Sequence, residues 1–491
     1  MATQNPLHFL LLPHLTHGHT IPMIDIAKLL AQHNVSITII TTPLTASRYT
    51  TTISRSTASG LNIQLLHVPF PASETGLPDG CETMESLPSP DLIPNFLNAI
   101  KLLQHPIEQL IDNLNPPLSC IISDKYLAWS SETAKKNRIP WLVFDGTSCF
   151  SLQCTHNILS SRIHESVSGS EPFVVPGLLH RIELTRSQLP SAVTMEDAKG
   201  LRAEIRAAEM AAYGVVVNSF EELESGYLEE LRKVRGKVRG KVWCIGPVSL
   251  CNKDDSDKLE RGRKPSFDKK ECLEWLDLQG PRSVVYVCFG SASRFSAAQL
   301  MEIGLGLEAS GRPFVWVVRG GKLEEFEKWV MEDGFEGRNK GRGILIRGWA
   351  PQVLILSHRA IGGFVTHCGW NSTLEGLCAG VPMVTWPLFA DQFYNEKLVV
   401  QVLRVGVPVG VEFGGRWGEE KYGVAIRRGG VKKAVEELLG GGDEGRERRE
   451  RASDLGEMAK KAVEEGGSSF LNIECLIQDI REQVMAIKPL T

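Results

Sequence analysis

Residues 8–40 read HFLLLPHLTHGHTIPMIDIAKLLAQHNVSITII, and this stretch decides the fold. His8-Phe9-Leu10-Leu11-Leu12 is an apolar run of strand length, followed by a glycine-containing turn at Thr16-His17-Gly18. From 21 to 30 the apolar side chains Ile21, Ile24, Ala27, Leu29 and Leu30 recur at helical spacing. Val35-Ser36-Ile37-Thr38-Ile39-Ile40 is rich in β-branched residues and suits a second strand. Strand, helix, strand in that order is a βαβ unit, which builds a parallel sheet through right-handed crossovers. Further strands are expected at 119–124 and 141–144. A second series opens at Val284-Val285-Tyr286-Val287-Cys288-Phe289 and continues through 314–318, 343–346, 363–366 and 381–386. Between the two series, residues 252–270 are packed with Lys, Arg and Asp and hold almost no large apolar side chain. Such a shift in composition marks a linker. The expected organisation is therefore α/β: one domain at 1–248, a charged linker at 249–271, a second domain at 272–465, and a tail at 466–491. The tail's amphipathic stretch, 470–480, is suited to packing back on the domains.

A chain of 491 residues buries large cores without disulfides or metals. Its 54 Lys+Arg against 58 Asp+Glu leave a net charge of −4, which removes the global electrostatic case for nucleic acid or an anionic membrane as partner. The 11 cysteines include no C-x-x-C pair, so packed, reduced thiols are expected. No apolar run reaches the ~18–20 residues of a membrane span, and the N-terminus lacks the basic region of a signal peptide. The expectation is a cytoplasmic monomer without stable membrane insertion, whose Asn34 and Asn371 triplets are never glycosylated.

Two motifs mislead. Gly440 to Gly445 fits G-x-G-x-x-G, but it follows the helical pattern of 431–439, whereas a dinucleotide fingerprint needs a preceding strand. Asp255-Ser256-Asp257 resembles a metal-binding Asp-x-Asp, yet it lies in the charged linker and reads as a solvated charge run.

The chemistry concentrates in residues 349–392, WAPQVLILSHRAIGGFVTHCGWNSTLEGLCAGVPMVTWPLFADQ. Here a strand at 363–366 leads through Gly369 to a helix opening near Asn371-Ser372-Thr373, with Asn and Ser as preferred N-caps. The free N–H groups and positive dipole end of such a helix suit a phosphate. Asn371 and Glu375 are four apart and share a helical face, one turn from the phosphate, where a carboxylate can accept from two sugar hydroxyls. His367, Trp370, Asp391 and Gln392 lie just beyond strands, where α/β sheets bind ligands.

These 44 residues resemble, without a gap, the signature box of plant secondary-product UDP-glycosyltransferases. The resemblance extends to Gly18-His19-Thr20-Ile21-Pro22, the strand ending in Asp124, Phe289-Gly290-Ser291 and Gly466-Gly467-Ser468-Ser469. It implies a GT-B fold of two Rossmann-like domains facing across a cleft, inversion at the anomeric carbon, and no metal or other cofactor beyond the UDP-sugar co-substrate. It further implies that Trp349 stacks on uracil, that Ala350 and Gln352 lie near base and ribose, and that Glu375 holds the ribose hydroxyls. His367, Asn371, Ser372 and Ser291 would hold the diphosphate, and Trp370, Asp391 and Gln392 the sugar. A terminal Gln in this box accompanies glucose in the family, so Gln392 favours UDP-glucose.

Transfer to a hydroxyl needs a base, and an imidazole titrates in the right range. His14, His17 and His19 are available after the first strand. The family motif G-H-x-x-P selects His19, with Asp124 as the carboxylate that orients it; the other reading of Asp124 is a cap for the following helix. His17, Thr147 and Ala390 are candidate sugar or acceptor contacts. Asp145 stands where relatives often carry His. Acceptor pockets in the family are built from variable loops, here 71–90 and 151–195. The segment 182–190 resembles a branch acting on flavonoids, triterpenoids and steroids, so a small lipophilic hydroxylated acceptor is expected. The competing readings are another UDP-sugar as donor, a non-catalytic nucleotide-sugar-binding protein, and a dinucleotide oxidoreductase; the last lacks a properly placed glycine fingerprint.

Overall fold

The first strand, His8–Leu12, is third in the order of a seven-stranded sheet, and every strand pairing in that sheet is parallel. Across the sheet the order is Ile63–His67, Ser36–Thr41, His8–Leu12, Cys120–Asp124, Trp141–Asp145, Gly214–Val217, Val242–Cys244. The second series forms a parallel six-stranded sheet in the order Gly343–Arg347, Phe314–Val318, Val284–Cys288, Ile361–Thr366, Met383–Thr385, Gly406–Pro408. Helices cover both faces, so the central strands are buried along their whole length and read as continuous apolar runs. This is the doubly wound GT-B architecture. The structure is a computed structural model describing residues 6–194, 199–236, 241–262, 269–319, 323–415 and 423–487.

In each sheet the strand order reverses beside the first strand of its series. The crevice at the carboxyl ends there is where open α/β sheets bind ligands. The loops leaving His8–Leu12, Cys120–Asp124, Val284–Cys288 and Ile361–Thr366 all line one cavity of about 1260 Å³ between the sheets.

Three local expectations need correction. The first helix begins at His17 rather than near Ile21. The carbonyl of Thr16 accepts the N–H of Thr20 at 2.8 Å, and this opening turn, His17-Gly18-His19, has no apolar residue to reveal it. The helix in the signature segment starts at Trp370, with Gly369 rather than Asn371 or Ser372 as its N-cap. The linker is not uniformly solvated: Asp255–Glu260 is a short helix, and Asp257 pairs with the buried Lys28 at 2.6 Å while Asp255 stays exposed. Gly440 to Gly445 joins the helices Arg428–Leu438 and Asp443–Val463, with no strand before it.

The last helix, Ser468–Ile487, returns to the N-terminal sheet. Its Ile473, Leu476, Ile477 and Ile480 pack in the same core as Phe9, Leu11 and Ile37. All eleven cysteines are free thiols, ten of them buried. Among the described residues no helix is long and apolar enough to cross a membrane, and no group of three His, Cys, Asp or Glu is placed to hold a metal ion.

Candidate active site

His19 and Asp124 meet although 105 residues separate them. The imidazole Nδ1 lies 2.5 Å from Asp124 Oδ2. A carboxylate only accepts, so Nδ1 carries the proton and Nε2 is left to take one. Asp124 Oδ1 accepts the N–H of Tyr126 at 3.0 Å, which steadies the turn after the strand; it caps no helix, because the next one begins only at Ser130 with Trp129 as its N-cap. Burial pulls the His19 pKa down, but the charge and hydrogen bond of Asp124 outweigh it and leave it raised. Burial likewise pushes Asp124 up, but His19, helped by His14 and the Tyr126 N–H, more than offsets this, so the carboxyl is lowered. Beside them His14 is buried and driven down to about 4, a neutral wall packed on Tyr126 and His19.

Opposite, the opening of the Trp370–Cys378 helix is the candidate anion cradle. Gly369 offers no side-chain cap, so the first N–H groups remain available to a ligand. His367 lies against two glycines: a Cβ on Gly290 or Gly369 would overlap its ring. Gly290 also has φ +78°, a left-handed conformation that a side chain would strain. Burial, with the Arg319 charge nearby, drives His367 down to about 3, so it is a neutral donor whose buried Nδ1 has no partner among the described residues. Ser291 bonds Glu85 at 3.4 Å, and Ser372 accepts from Gln352 at 3.0 Å.

At one end of the cradle lie Trp349, Ala350, Gln352 and Glu375. Arg319 stands 4.7 Å over the Trp349 ring, and the His17 ring is 5.7 Å away. His17 thus stands beside Trp349 while lining the same cavity as His19. Its Nδ1 pairs with Glu85 at 3.0 Å, and its N–H donates to the same carboxylate at 2.8 Å. Gln352 donates to Glu375 Oε2 at 2.7 Å.

At the other end Gln392 accepts two backbone N–H groups through Oε1, at 2.8 and 3.0 Å, leaving its amide nitrogen as the end for a ligand. Ala390 adopts φ +54° to turn the chain, and burial raises the Asp391 carboxyl. Trp370 lines the cavity, but its indole N–H is committed to Asn218 O at 2.8 Å. Thr147 donates to Asp145 at 2.9 Å, and Lys125 grips the same carboxylate at 3.0 Å. The Tyr126 ring lies 6.0 Å from that of His19, and Ile93, Pro94, Leu97 and Phe389 give the same cavity apolar lining.

Residues 6–250 match the family model described as "Glycosyltransferase, N-terminal domain", and residues 247–412 match "UDP-glucoronosyl and UDP-glucosyl transferase". UDP-glycosyltransferase 73C12 of Barbarea vulgaris is 52% identical over 482 residues, 97% of each chain. The chain belongs to the plant UDP-glycosyltransferases. UDP-glycosyltransferase 73C3 of Arabidopsis thaliana is also 52% identical, over 97% of this chain and 96% of its own. The crystal structure of Glycyrrhiza uralensis UGT73P12, complexed with glycyrrhetinic acid 3-O-monoglucuronide, matches with a TM-score of 0.91 at 39% identity, over 98% of this chain and 97% of that one. Medicago truncatula UGT71G1, complexed with UDP-glucose, matches at 0.76 and 28% identity, over 97% of this chain and 98% of that one. This UDP-glycosyltransferase thus transfers a glycosyl group from a UDP-sugar.

Sequence reasoning missed several groups that line this transferase's cavity. Arg319 follows the strand Phe314–Val318 and Glu85 sits in the short helical turn Met84–Ser86, and neither belongs to a recognisable spacing. Arg261 sits in the segment whose composition marked it as linker. The helix Ile93–Leu102 supplies apolar lining beyond the two variable loops; only its amphipathic pattern could have pointed to it.

Proposed function

We propose that the transferase moves glucose from UDP-glucose to a hydroxyl of a small lipophilic plant metabolite of flavonoid, triterpenoid or related class, inverting α to β. The observation that carries this reading is the His19–Asp124 pair at 2.5 Å, its free Nε2 sharing one cavity with the anion cradle. His19 takes the acceptor proton as the oxygen attacks the anomeric carbon from the face opposite UDP. Trp349 stacks on the uracil, with Ala350 and Gln352 beside it, and Glu375 holds the ribose hydroxyls. His367, Asn371, Ser372, Ser291 and the helix opening at Trp370 meet the charge growing on the leaving diphosphate. With that charge met by protein donors, the reaction is proposed to run without a metal ion. Asp391 and the amide of Gln392 take sugar hydroxyls, with Trp370, Ala390 and Thr147 lining that end. Support for glucose comes from Gln392, whose amide nitrogen is the free end, and from the structural relative complexed with UDP-glucose. Support for the acceptor class comes from the apolar side chains that line the cavity His19 opens into and from relatives complexed with glycyrrhetinic acid 3-O-monoglucuronide and with quercetin. A cytoplasmic location is part of the proposal, supported by the free, mostly buried thiols.

The test is a UDP-release assay with UDP-glucose in EDTA, against flavonols, triterpene acids and simple phenols, with hexose adducts detected by mass spectrometry. Adduct formation by the wild type and its loss in His19→Ala, with UDP binding retained, is expected. Activity with a different UDP-sugar alone would overturn the reading of Gln392. Near-wild-type turnover by His19→Ala would overturn the base.

A further inference from the structure

The carboxylate of Glu375 is already held on both oxygens. Oε2 accepts from Gln352 at 2.7 Å, and Oε1 is ion-paired with Nη1 of Arg261, which comes from the segment between the domains. On its other edge Arg261 Nε reaches Asp25 Oδ2 at 2.7 Å, on the His17–Gln32 helix that carries His19. The side chains of Arg261, Asp25 and Glu375 are only 9, 2 and 6% exposed. The arm that delivers Arg261 is itself fastened to the N-terminal domain: Lys28 bonds Asn252 at 2.8 Å and Asp257 at 2.6 Å, and Arg55 pairs with Asp257 at 3.0 Å and Glu260 at 2.8 Å. The next residue, Gly262, adopts φ +99° and lies so close to the Trp349 ring that a Cβ would overlap it. A segment that reads as solvated linker therefore touches the two residues assigned to base and ribose.

We propose that Arg261 is a positioning residue for the donor: it fixes the Glu375 carboxylate so that each oxygen presents one remaining lone pair to one of the two adjacent ribose hydroxyls. A carboxylate oxygen has two acceptor directions. Arg261 takes one on Oε1 and Gln352 one on Oε2, which leaves one on each, the pattern a vicinal diol requires. Arginine suits the task because separate nitrogens of one rigid fork serve Asp25 and Glu375 together, while an ammonium on a flexible stem sets no such geometry. The bridge also ties the ribose end of the C-terminal domain to the helix that holds the base.

The inference rests on the proposed role of Glu375 and deepens it. The test is calorimetric titration of the full chain with UDP and with 2′-deoxy-UDP, for wild type, Arg261→Met and Arg261→Lys. Wild type is expected to prefer UDP by roughly tenfold or more, the scale of a hydrogen bond to a charged group. Arg261→Met should lose most of that preference, UDP binding falling on the order of tenfold while 2′-deoxy-UDP binding changes little. Arg261→Lys should fall between, and it carries the test if the Met variant does not fold. Equal weakening of both nucleotides would reduce Arg261 to general support of the arm and overturn the proposal. Tighter binding of UDP by Arg261→Met would overturn it in favour of an arm that nucleotide must displace. A wild type with no preference would remove the ribose role of Glu375 itself, and this inference with it.

Discussion

His19 owes its chemistry to one carboxylate. Asp124 fixes the tautomer, leaves Nε2 free and raises the imidazole pKa. As the proposed base His19 works only when neutral, so turnover should rise with pH through that raised pKa. In Asp124→Asn the raising charge is gone, and the acid limb of the kcat/KM profile should move to lower pH while the plateau falls. A pH–rate profile checks this, and an unmoved limb would show that Asp124 does not set the titration. Replacing His19 by Ala should cost about 10²–10⁴-fold in turnover, the range of positioned general bases. These two residues were legible in the sequence because they stand in recognisable patterns: a histidine in G-H-x-x-P and an aspartate closing an apolar run. Arg261 and Glu85 were not, since their roles depend on long-range contacts to Glu375 and Ser291 that no local pattern announces.

At the scale of elements, the site is made where helices begin. Pro22 lies inside the His17–Gln32 helix and has no N–H to give to the carbonyl four residues back, that of Gly18. Asn371 of the other domain donates to that carbonyl at 2.6 Å, so the proline of the motif opens a latch between the domains. Gly290 plays a comparable part for the anion cradle. In Gly290→Ala the new methyl would strain a left-handed backbone, at a stability cost of about 1–2 kcal/mol, and would displace the His367 ring proposed to meet the diphosphate, so UDP affinity should fall, on the order of tenfold for one lost hydrogen bond to a charged group. Titration with UDP measures this; unchanged affinity would show that His367 moves aside freely. The central strands were legible as buried apolar runs, Val284–Cys288 and Phe314–Val318 within a residue of expectation. The peripheral strands Ile63–His67, Val242–Cys244 and Gly406–Pro408 were not: the first is half exposed and the others have three residues each, too few for a periodicity.

Over the whole molecule, two Rossmann-like sheets contribute complementary halves of one reaction. The N-terminal domain carries the proposed base with the apolar side chains of the Ile93–Leu102 helix, and the C-terminal domain carries the proposed anion cradle, Trp349 and Phe389. Bonds such as Trp370 to Asn218 and Asn371 to Gly18 hold the halves in register. A nucleotide that binds only the folded chain stabilises it by mass action, by about 2.7 kcal/mol at a hundredfold excess over Kd. UDP should therefore raise the melting temperature in a thermal-shift assay, and His19→Ala should show the same rise; its absence in both would contradict the assignment of the cradle. Composition marked 252–270 as a charged segment but could not show that Asp257 and Arg261 of it pair with buried partners, because a buried ion-pair network and a solvated charge run have the same composition. The most direct test of the central claim is the proton NMR spectrum of the product made from UDP-glucose and a hydroxylated acceptor. The account predicts a β-glucoside, with the large anomeric coupling of two axial protons, formed by the wild type and absent with His19→Ala. An α-glucoside, or undiminished product from the variant, would contradict in-line displacement assisted by His19.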